Sequence, residues 1–269
     1  IEKVTNAREH DSPLYEYINI TPPKRDDEEI KIMIDDLAEK GENLFAITKI
    51  AEEARDSEPS DFKKSYKYWK KAHAINPNNP YYIQQYALTR YKSKDPSLEV
   101  AITDALKIMS LLDPDNTTDV ETLGITGAIY KTLYTENRDI ETLKRAMEYY
   151  KKGFSVSQNY YPGENYATCL DFLKIETKQE EEKIYYKIEA RRVREEIIKT
   201  LEELEEVGEL EKREDKRWIF ATLASCYKGI ENEKMYGKWN DRYNKEEKPQ
   251  WEIDTYHKNN KIRSERNGE

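Results

Sequence analysis

The sequence predicts an all-α protein in which antiparallel helix pairs stack as a helical repeat. Three observations support this fold class. Small and aromatic residues alternate at helical spacing through the middle of the chain. Comparable positions recur 37 to 40 residues apart. The 269 residues include only 9 glycines and 10 prolines, fewer than an all-β chain of this length needs for its turns.

The clearest helix pair lies within residues 119–165. Its first helix contains Gly124 and Gly127, and a glycine inside a helix costs about 1 kcal/mol relative to alanine. Glycines at these positions favour close packing of a neighbouring element. The second helix shows a similar arrangement with Tyr150 and Gly153.

A repeat period is visible on both sides of this pair. Ser65, Trp69, Ala72 and Pro77 are spaced 4, 3 and 5 residues apart, which resembles the second helix of a tetratricopeptide repeat. Small residues recur every 40 positions in successive first helices, at Ala87, Gly127 and Ala167. We therefore predict a tetratricopeptide-like superhelix of about ten to twelve antiparallel helices.

Four segments follow from the pattern. Residues 1–29 are predicted to form a linker or docking arm, and residues 30–174 the tetratricopeptide-like repeats. Residues 175–258 continue the superhelix with a long charged helix over 178–207 and further helix pairs. Residues 259–269 form a polar tail.

Several helix boundaries can be predicted from local signals. A helix over residues 30–40 is expected to end at Gly41, with Asn43 capping the next helix. Asp119 and Asp139 are expected to cap the two helices of the central pair.

Charge and composition exclude several functions. With 45 basic and 54 acidic residues the net charge is −9, so general binding to nucleic acid is not expected. The sequence contains no G-x-x-x-x-G-K-[ST] and no G-x-G-x-x-G, and it has no apolar run of the roughly 18 residues that a membrane span needs. Its two cysteines are expected to be buried thiols in a reducing cytoplasm.

Neither a metal site nor a catalytic site is predicted. The three histidines, His10, His73 and His257, are far apart in sequence. Acidic residues are so abundant that pairs of carboxylates carry no information about catalysis. We therefore expect a non-enzymatic protein without a cofactor, and an enzyme with an unrecognised site is the weakest of three hypotheses.

The candidate binding residues are those expected on the concave side of the repeat, which the first helix of each pair lines. They are Arg90, Glu121, Lys131, Tyr161 and Asn165. Lys131 and Arg90 could hold a phosphate or carboxylate, and tyrosines could stack on a ring. The alternative is that the aromatic residues form core between repeats and the charges are solvated. Asn165, in the turn-to-helix stretch P-G-E-N, could instead cap or bridge helices.

The long helix leaves two further alternatives open. Arg191, Arg192 and Arg194 form a basic cluster, but flanking glutamates favour pairing within the helix over binding of nucleic acid. Its apolar residues could form a seam with a second copy, although such a stripe more often packs within one chain.

Three stretches resemble a known family: L-G-I-T-G-A-I-Y-K (123–131), A-M-E-Y-Y-K-K-G-F (146–154) and Y-Y-P-G-E-N-Y-A-T-C-L (160–170). They are similar to the TRAFs-binding domain, the central regulatory region of apoptosis signal-regulating kinases, which also occurs in bacterial proteins. The resemblance extends over about residues 80–255. D-S-P-L-Y (11–15) resembles the junction that follows an N-terminal α/β domain in bacterial members.

The resemblance implies a regulatory or interaction module of a signalling or bacterial defence protein. It would couple the binding of a protein partner or ligand to an effector domain that this chain does not contain. The alternative hypothesis is a sensor that binds a nucleotide-derived small molecule in the concave groove. The expected partners are therefore another protein, the protein's own effector domain or a nucleotide-derived ligand. A homo-oligomer is a further option.

Overall fold

The computed structural model describes residues 27–247, with side chains described at residue 41 and from residue 43 onward. Within this part of the chain we find ten α-helices, two short 3-10 helices and no strand. The all-α fold class is therefore confirmed. The predicted tail (259–269), the end of the 175–258 segment and nearly all of the 1–29 arm lie outside the described residues.

The ten helices follow one another with short connections. They are α1 (Asp27–Asp56), α2 (Phe62–Ile75), α3 (Pro80–Ser93), α4 (Leu98–Met109), α5 (Val120–Asn137), α6 (Ile140–Ser157), α7 (Tyr160–Glu176), α8 (Glu180–Glu206), α9 (Lys216–Gly229) and α10 (Glu233–Lys245). The 3-10 helices, Ser110–Leu112 and Leu210–Lys212, follow α4 and α8.

The predicted caps of the central pair are confirmed. Asp119 accepts a hydrogen bond from the backbone N–H of Thr122 at 2.8 Å, and Asp139 accepts one from Thr142 at 3.0 Å. These bonds satisfy N–H groups that lack a partner in the first turn of a helix.

The predicted break at Gly41 is wrong, because α1 continues through it for 30 residues. Gly41 is exposed, and no neighbouring atom lies within 4 Å of the position that its Cβ would occupy. A glycine at such a site weakens a helix by about 1 kcal/mol, which the hydrogen bonds on either side can absorb. Asn43 accordingly lies inside the helix and is not its cap.

The described part of the chain divides into two compact units, with the boundary between Asp104 and Ala105. The first unit has a small core in which the predicted repeat residues Trp69 and Ala72 are fully buried together with Ala51. Ser65, also buried, donates to the carbonyl of Ala51 at 2.7 Å and so ties α2 to α1. The small–aromatic–small spacing thus forms the contact surface of one helix pair.

The second unit has a larger core formed by α5 to α10. Helix α7 lies at its centre, in contact with α5, α6, α8 and α9. Most of its side chains from Pro162 to Leu173 are buried, including Gly163 and Ala167. Cys169 and Cys226 are both buried, as predicted, and they are not joined in a disulfide.

Close packing explains five of the seven described glycines of this unit, all except Gly208 and Gly237. A Cβ on Gly127 would lie 3.1 Å from the ring of Tyr150. At Gly163 the fit is tighter, since a Cβ would lie 2.7 Å from the ring of Phe154 and 2.8 Å from Cδ1 of Ile197. The prediction of close neighbours is therefore confirmed at Gly127, and Gly163 lets side chains of both α6 and α8 pack against the backbone of α7.

We expect Gly163→Ala to lower the free energy of unfolding by about 1–3 kcal/mol, because an added methyl group would overpack the site. The matched control is Gly237→Ala on α10, where no atom lies within 4 Å of the Cβ position. The free energy of unfolding of that variant should rise by about 0.5–1 kcal/mol, because alanine has a higher helix propensity than glycine. Urea unfolding measures both. Equal effects of the two substitutions would contradict this account of α7.

A buried ion pair joins α7 to α8. Arg194, only 2% exposed, donates to the carboxylate of Asp171 through both terminal nitrogens. Its guanidinium lies against the backbone of Gly229 at the end of α9, where a Cβ would lie 2.4 Å from Nε. The predicted basic cluster is therefore split, because Arg194 points into the core while Arg191 pairs with Glu195 on the surface.

Removing one partner should reveal the cost of the buried charge. Asp171→Leu should destabilise the protein by about 3–5 kcal/mol, because Arg194 would remain charged and buried. Adding Arg194→Met should recover most of this loss, since an apolar pair can replace a buried ion pair. The control Lys183→Met removes an exposed ion pair with Glu180 and should cost at most about 1 kcal/mol. Urea unfolding of the three variants and the unaltered protein measures these effects. A double variant as unstable as Asp171→Leu would contradict the prediction.

Candidate functional site

The structure places four of the five predicted site residues on two helices that contact each other. Glu121 and Lys131 belong to α5, and Tyr161 and Asn165 to α7. Together they define the α5–α7 surface. The fifth residue, Arg90, belongs to α3 in the first unit.

A chain of hydrogen bonds forms the middle of the α5–α7 surface. Lys131 Nζ donates to Asn165 Oδ1 at 2.6 Å, and Asn165 Nδ2 donates to the backbone carbonyl of Tyr161 at 2.9 Å. The second bond fixes the orientation of the amide, so that its oxygen faces the lysine. Asn165 thus bridges two helices, which was one of the alternatives left open by the sequence.

The expected turn at P-G-E-N is absent, since these residues lie within the first two turns of α7. Pro162 is compatible with that position because the first turn of a helix does not use its N–H groups. Asn159 caps the helix instead and accepts from the N–H of Tyr161 at 2.8 Å.

Two tyrosine rings, those of Tyr150 and Tyr161, pack on the α5–α7 surface. The ring of Tyr161, which is 48% exposed, lies over Gly124, where a Cβ would be 3.1 Å from Cε1. Tyr150 meets Tyr161 edge to face with 6.4 Å between the ring centroids. Lys131 Nζ is 5.9 Å from the Tyr150 centroid, within the range of a cation–π contact. A Cβ at position 124 would therefore require the Tyr161 ring to shift by a few tenths of an ångström.

Sequence reasoning missed a second bridge, which lies one residue before Asn165. Glu164 Oε1 accepts hydrogen bonds from Ser225 on α9 at 2.8 Å and from Thr168 at 3.1 Å. Two neighbouring residues of α7 therefore form hydrogen bonds with different helices. Glu164 bonds to α9 and Asn165 bonds to α5. Glutamate is too common in this chain for its type alone to have indicated the bridge.

The start of α7 is tied to the start of α9 by a third polar contact. Tyr160 donates its hydroxyl to Asp215 Oδ2 at 2.9 Å, and Arg213 Nε donates to Asp215 Oδ1 at 2.7 Å. These bonds, from Arg213 first and also from Tyr160, hold the pKa of Asp215 below its ordinary value. Burial, followed by the bond to this carboxylate, raises the pKa of Tyr160.

The lowered pKa of Asp215 makes stability depend on pH. A carboxyl group with a depressed folded-state pKa stabilises the fold fully above its unfolded value, here 3.8, and this stabilisation is lost as pH falls through the folded-state pKa. Asp215→Asn should therefore lose less stability than the unaltered protein between about pH 5 and pH 2. Tyr160→Phe should lie between the two. Urea unfolding across this range measures the effect, and identical acid profiles would contradict it.

Arg90 is engaged within the first unit. It is 6% exposed, its Nε donates to Asp104 Oδ2 at 3.0 Å, and its NH1 donates to the carbonyl of Asp95. The guanidinium carbon lies 4.9 Å from the ring centroid of Tyr66. These contacts hold the end of α3 against the loop before α4 and the middle of α4.

The second unit also contains a cavity of about 300 Å³ between the start of α6, the end of α7 and the start of α8. Its lining includes two lysines and two glutamates, Lys144, Lys178, Glu176 and Glu182, and none of the five predicted site residues. Because the charges balance, this cavity has no evident preference for an anion.

Two further observations concern the described residues alone. No group of three or more histidine, cysteine, aspartate or glutamate side chains in residues 27–247 is arranged to hold a metal ion. No helix in the same range is long and apolar enough to cross a membrane.

Comparison with known proteins adds one finding. Residues 61–170 match the model of a family described as TPR-S, Tetratricopeptide Repeats-Sensor. No curated protein and no solved structure matches the chain. The matched segment runs from the cap of α2 into α7 and includes all five predicted site residues. Residues 61–170 are therefore similar to tetratricopeptide-type sensor domains, a family that is generally non-catalytic.

Proposed function

We propose that this protein is a regulatory module of a signalling or bacterial defence system, acting in the cytoplasm. Its α5–α7 surface would bind a partner and pass that event to an effector domain. The observation that carries the proposal is the Lys131–Asn165 bond, which joins a half-buried cation to the contact between two stacked helices.

The character of the surface favours a protein partner. Glu121 and Tyr161 are exposed, and Lys131 is half-buried and bonded from α5 to Asn165 on α7. Acidic, basic and aromatic groups on an open face suit a mixed protein interface, in which tyrosine is enriched. A partner carboxylate that drew Lys131 away from Asn165 would loosen the contact between α5 and α7, and that population shift would be the signal.

The alternative is a nucleotide-derived ligand. It is favoured by the combination of a cation with an exposed ring on one surface, since Lys131 could bind a phosphate and Tyr161 could stack on a base. The description of the matching family as a sensor is compatible with this alternative.

Photo-crosslinking tests the protein-partner hypothesis. We expect Glu121→p-benzoylphenylalanine to give a discrete adduct in cells with one protein, and Lys131→Glu to reduce its yield at least about tenfold, because reversing an interface charge costs more than 1.4 kcal/mol. The control is Val156→p-benzoylphenylalanine on α6, which is 49% exposed and outside the surface. The same adduct from both positions, or one that Lys131→Glu does not affect, would contradict the hypothesis.

Thermal unfolding with a panel of nucleotides and dinucleotides tests the alternative. A ligand at a hundred times its Kd stabilises the folded state by about 2.7 kcal/mol, which raises the Tm. The shift should disappear in Lys131→Met and Asn165→Ala and persist in Lys199→Ala, an exposed lysine on α8. No shift with any nucleotide would remove this alternative, and so would a shift that survives Lys131→Met.

A further inference from the structure

An apolar stripe on the first half of α8 has no counterpart elsewhere in the described part of the second unit. Ile184 and Ile188 are 59% and 62% exposed, and Tyr185 beside them is 52% exposed. The second half of the helix is different, because residues such as Val193, Ile197 and Leu201 are buried. Exposed large apolar groups that cluster in this way mark an interaction surface.

The stripe has the spacing of a coiled-coil seam. Glu181, Ile184, Ile188 and Arg191 are separated by 3, 4 and 3 residues, which places all four on one face of a helix. Glu181 and Arg191 are both exposed. The apolar centre of the stripe is therefore flanked by an acidic residue towards the start of α8 and a basic residue towards its end.

We propose that this stripe binds a second copy of the chain, with the two α8 helices antiparallel about a two-fold axis. In that arrangement Ile184 lies opposite Ile188 of the second copy, and Glu181 lies opposite its Arg191. The symmetry forms each contact twice. A parallel arrangement would instead oppose Glu181 to Glu181 and Arg191 to Arg191, so the charges select the antiparallel one.

Forming these contacts requires little rearrangement. The ion pair between Arg191 and Glu195 has side chains that are 64% and 52% exposed, and an exchange of partners at such a surface pair costs at most about 1 kcal/mol. The stripe spans about 15 Å of helix, at 1.5 Å per residue. A contact along so short a length of helix buries less area than the roughly 800 Å² per partner of a standard interface. We therefore expect a micromolar or weaker Kd.

Sedimentation of the full chain from about 1 µM to about 1 mM tests the proposal. The unaltered chain should pass from monomer to dimer within that range. The variant Ile184→Asn/Ile188→Asn should remain monomeric, and because both positions are exposed it should keep its Tm at low concentration.

Charge variants test the orientation. Glu181→Arg alone and Arg191→Glu alone should each weaken the dimer about tenfold or more, since each opposes like charges twice. Combining the two substitutions should restore the dimer, and mixing the two single variants should give a heterodimer. The control Glu203→Arg makes the same charge change on α8 beyond the stripe and should leave the Kd within about twofold.

Three outcomes would overturn the proposal. A chain that remains monomeric at 1 mM would show that the stripe serves another occupant, such as a different segment of the same chain. A dimer that persists in Ile184→Asn/Ile188→Asn would use another face. A dimer that the double charge variant does not restore would rule out the antiparallel arrangement. None of these results depends on the function proposed for the α5–α7 surface.

Discussion

The second unit depends on the burial of α7 among four other helices. A helix enclosed on so many sides needs small residues wherever a neighbour approaches closely, and Gly163 and Ala167 provide them. It also needs partners for every polar side chain that is buried with it. Glu164, Asn165 and Asp171 each meet such a partner, and the three partners lie on three different helices.

Because α7 is held on several sides, binding at the candidate site would affect its contact with one neighbouring helix and not with the others. Successive residues of a helix are rotated by about 100°, so Glu164 and Asn165 necessarily point towards different neighbours. One bonds to α9 and the other to α5. A ligand that displaced the bond of Lys131 to Asn165 would alter one side of α7 while the other side stayed attached. Such an asymmetric change in a stack of helices can alter the position of the next helix pair.

Charge has different roles in different parts of this unit. Arg194 and Asp171 form a buried pair whose geometry fixes how α8 lies on α7. The pairs on the outer face of α8, including Arg191 with Glu195, are exposed and contribute little to stability. A residue of such a surface ion pair can form an ion pair with another molecule instead, whereas a residue of a buried pair cannot. The cluster of Arg191, Arg192 and Arg194 therefore contains a buried residue that fixes the packing of two helices and a surface residue that contributes little to stability.

The sequence by itself determined the helices, because periodicity, capping residues and helix breakers act within a few residues of each other. Asp119 and Asp139 cap where expected, and the small residues mark where helices meet. Gly41 was misjudged because a single glycine is a weak breaker and α1 absorbs its cost. Only the tertiary structure decided the partners of each polar side chain. Nothing local distinguishes Glu164, which bonds to Ser225 sixty-one residues away, from the many glutamates in water. Likewise, burial of Arg194 and exposure of Ile184 follow from which face of α8 meets α7, and that choice is made by packing across the whole unit.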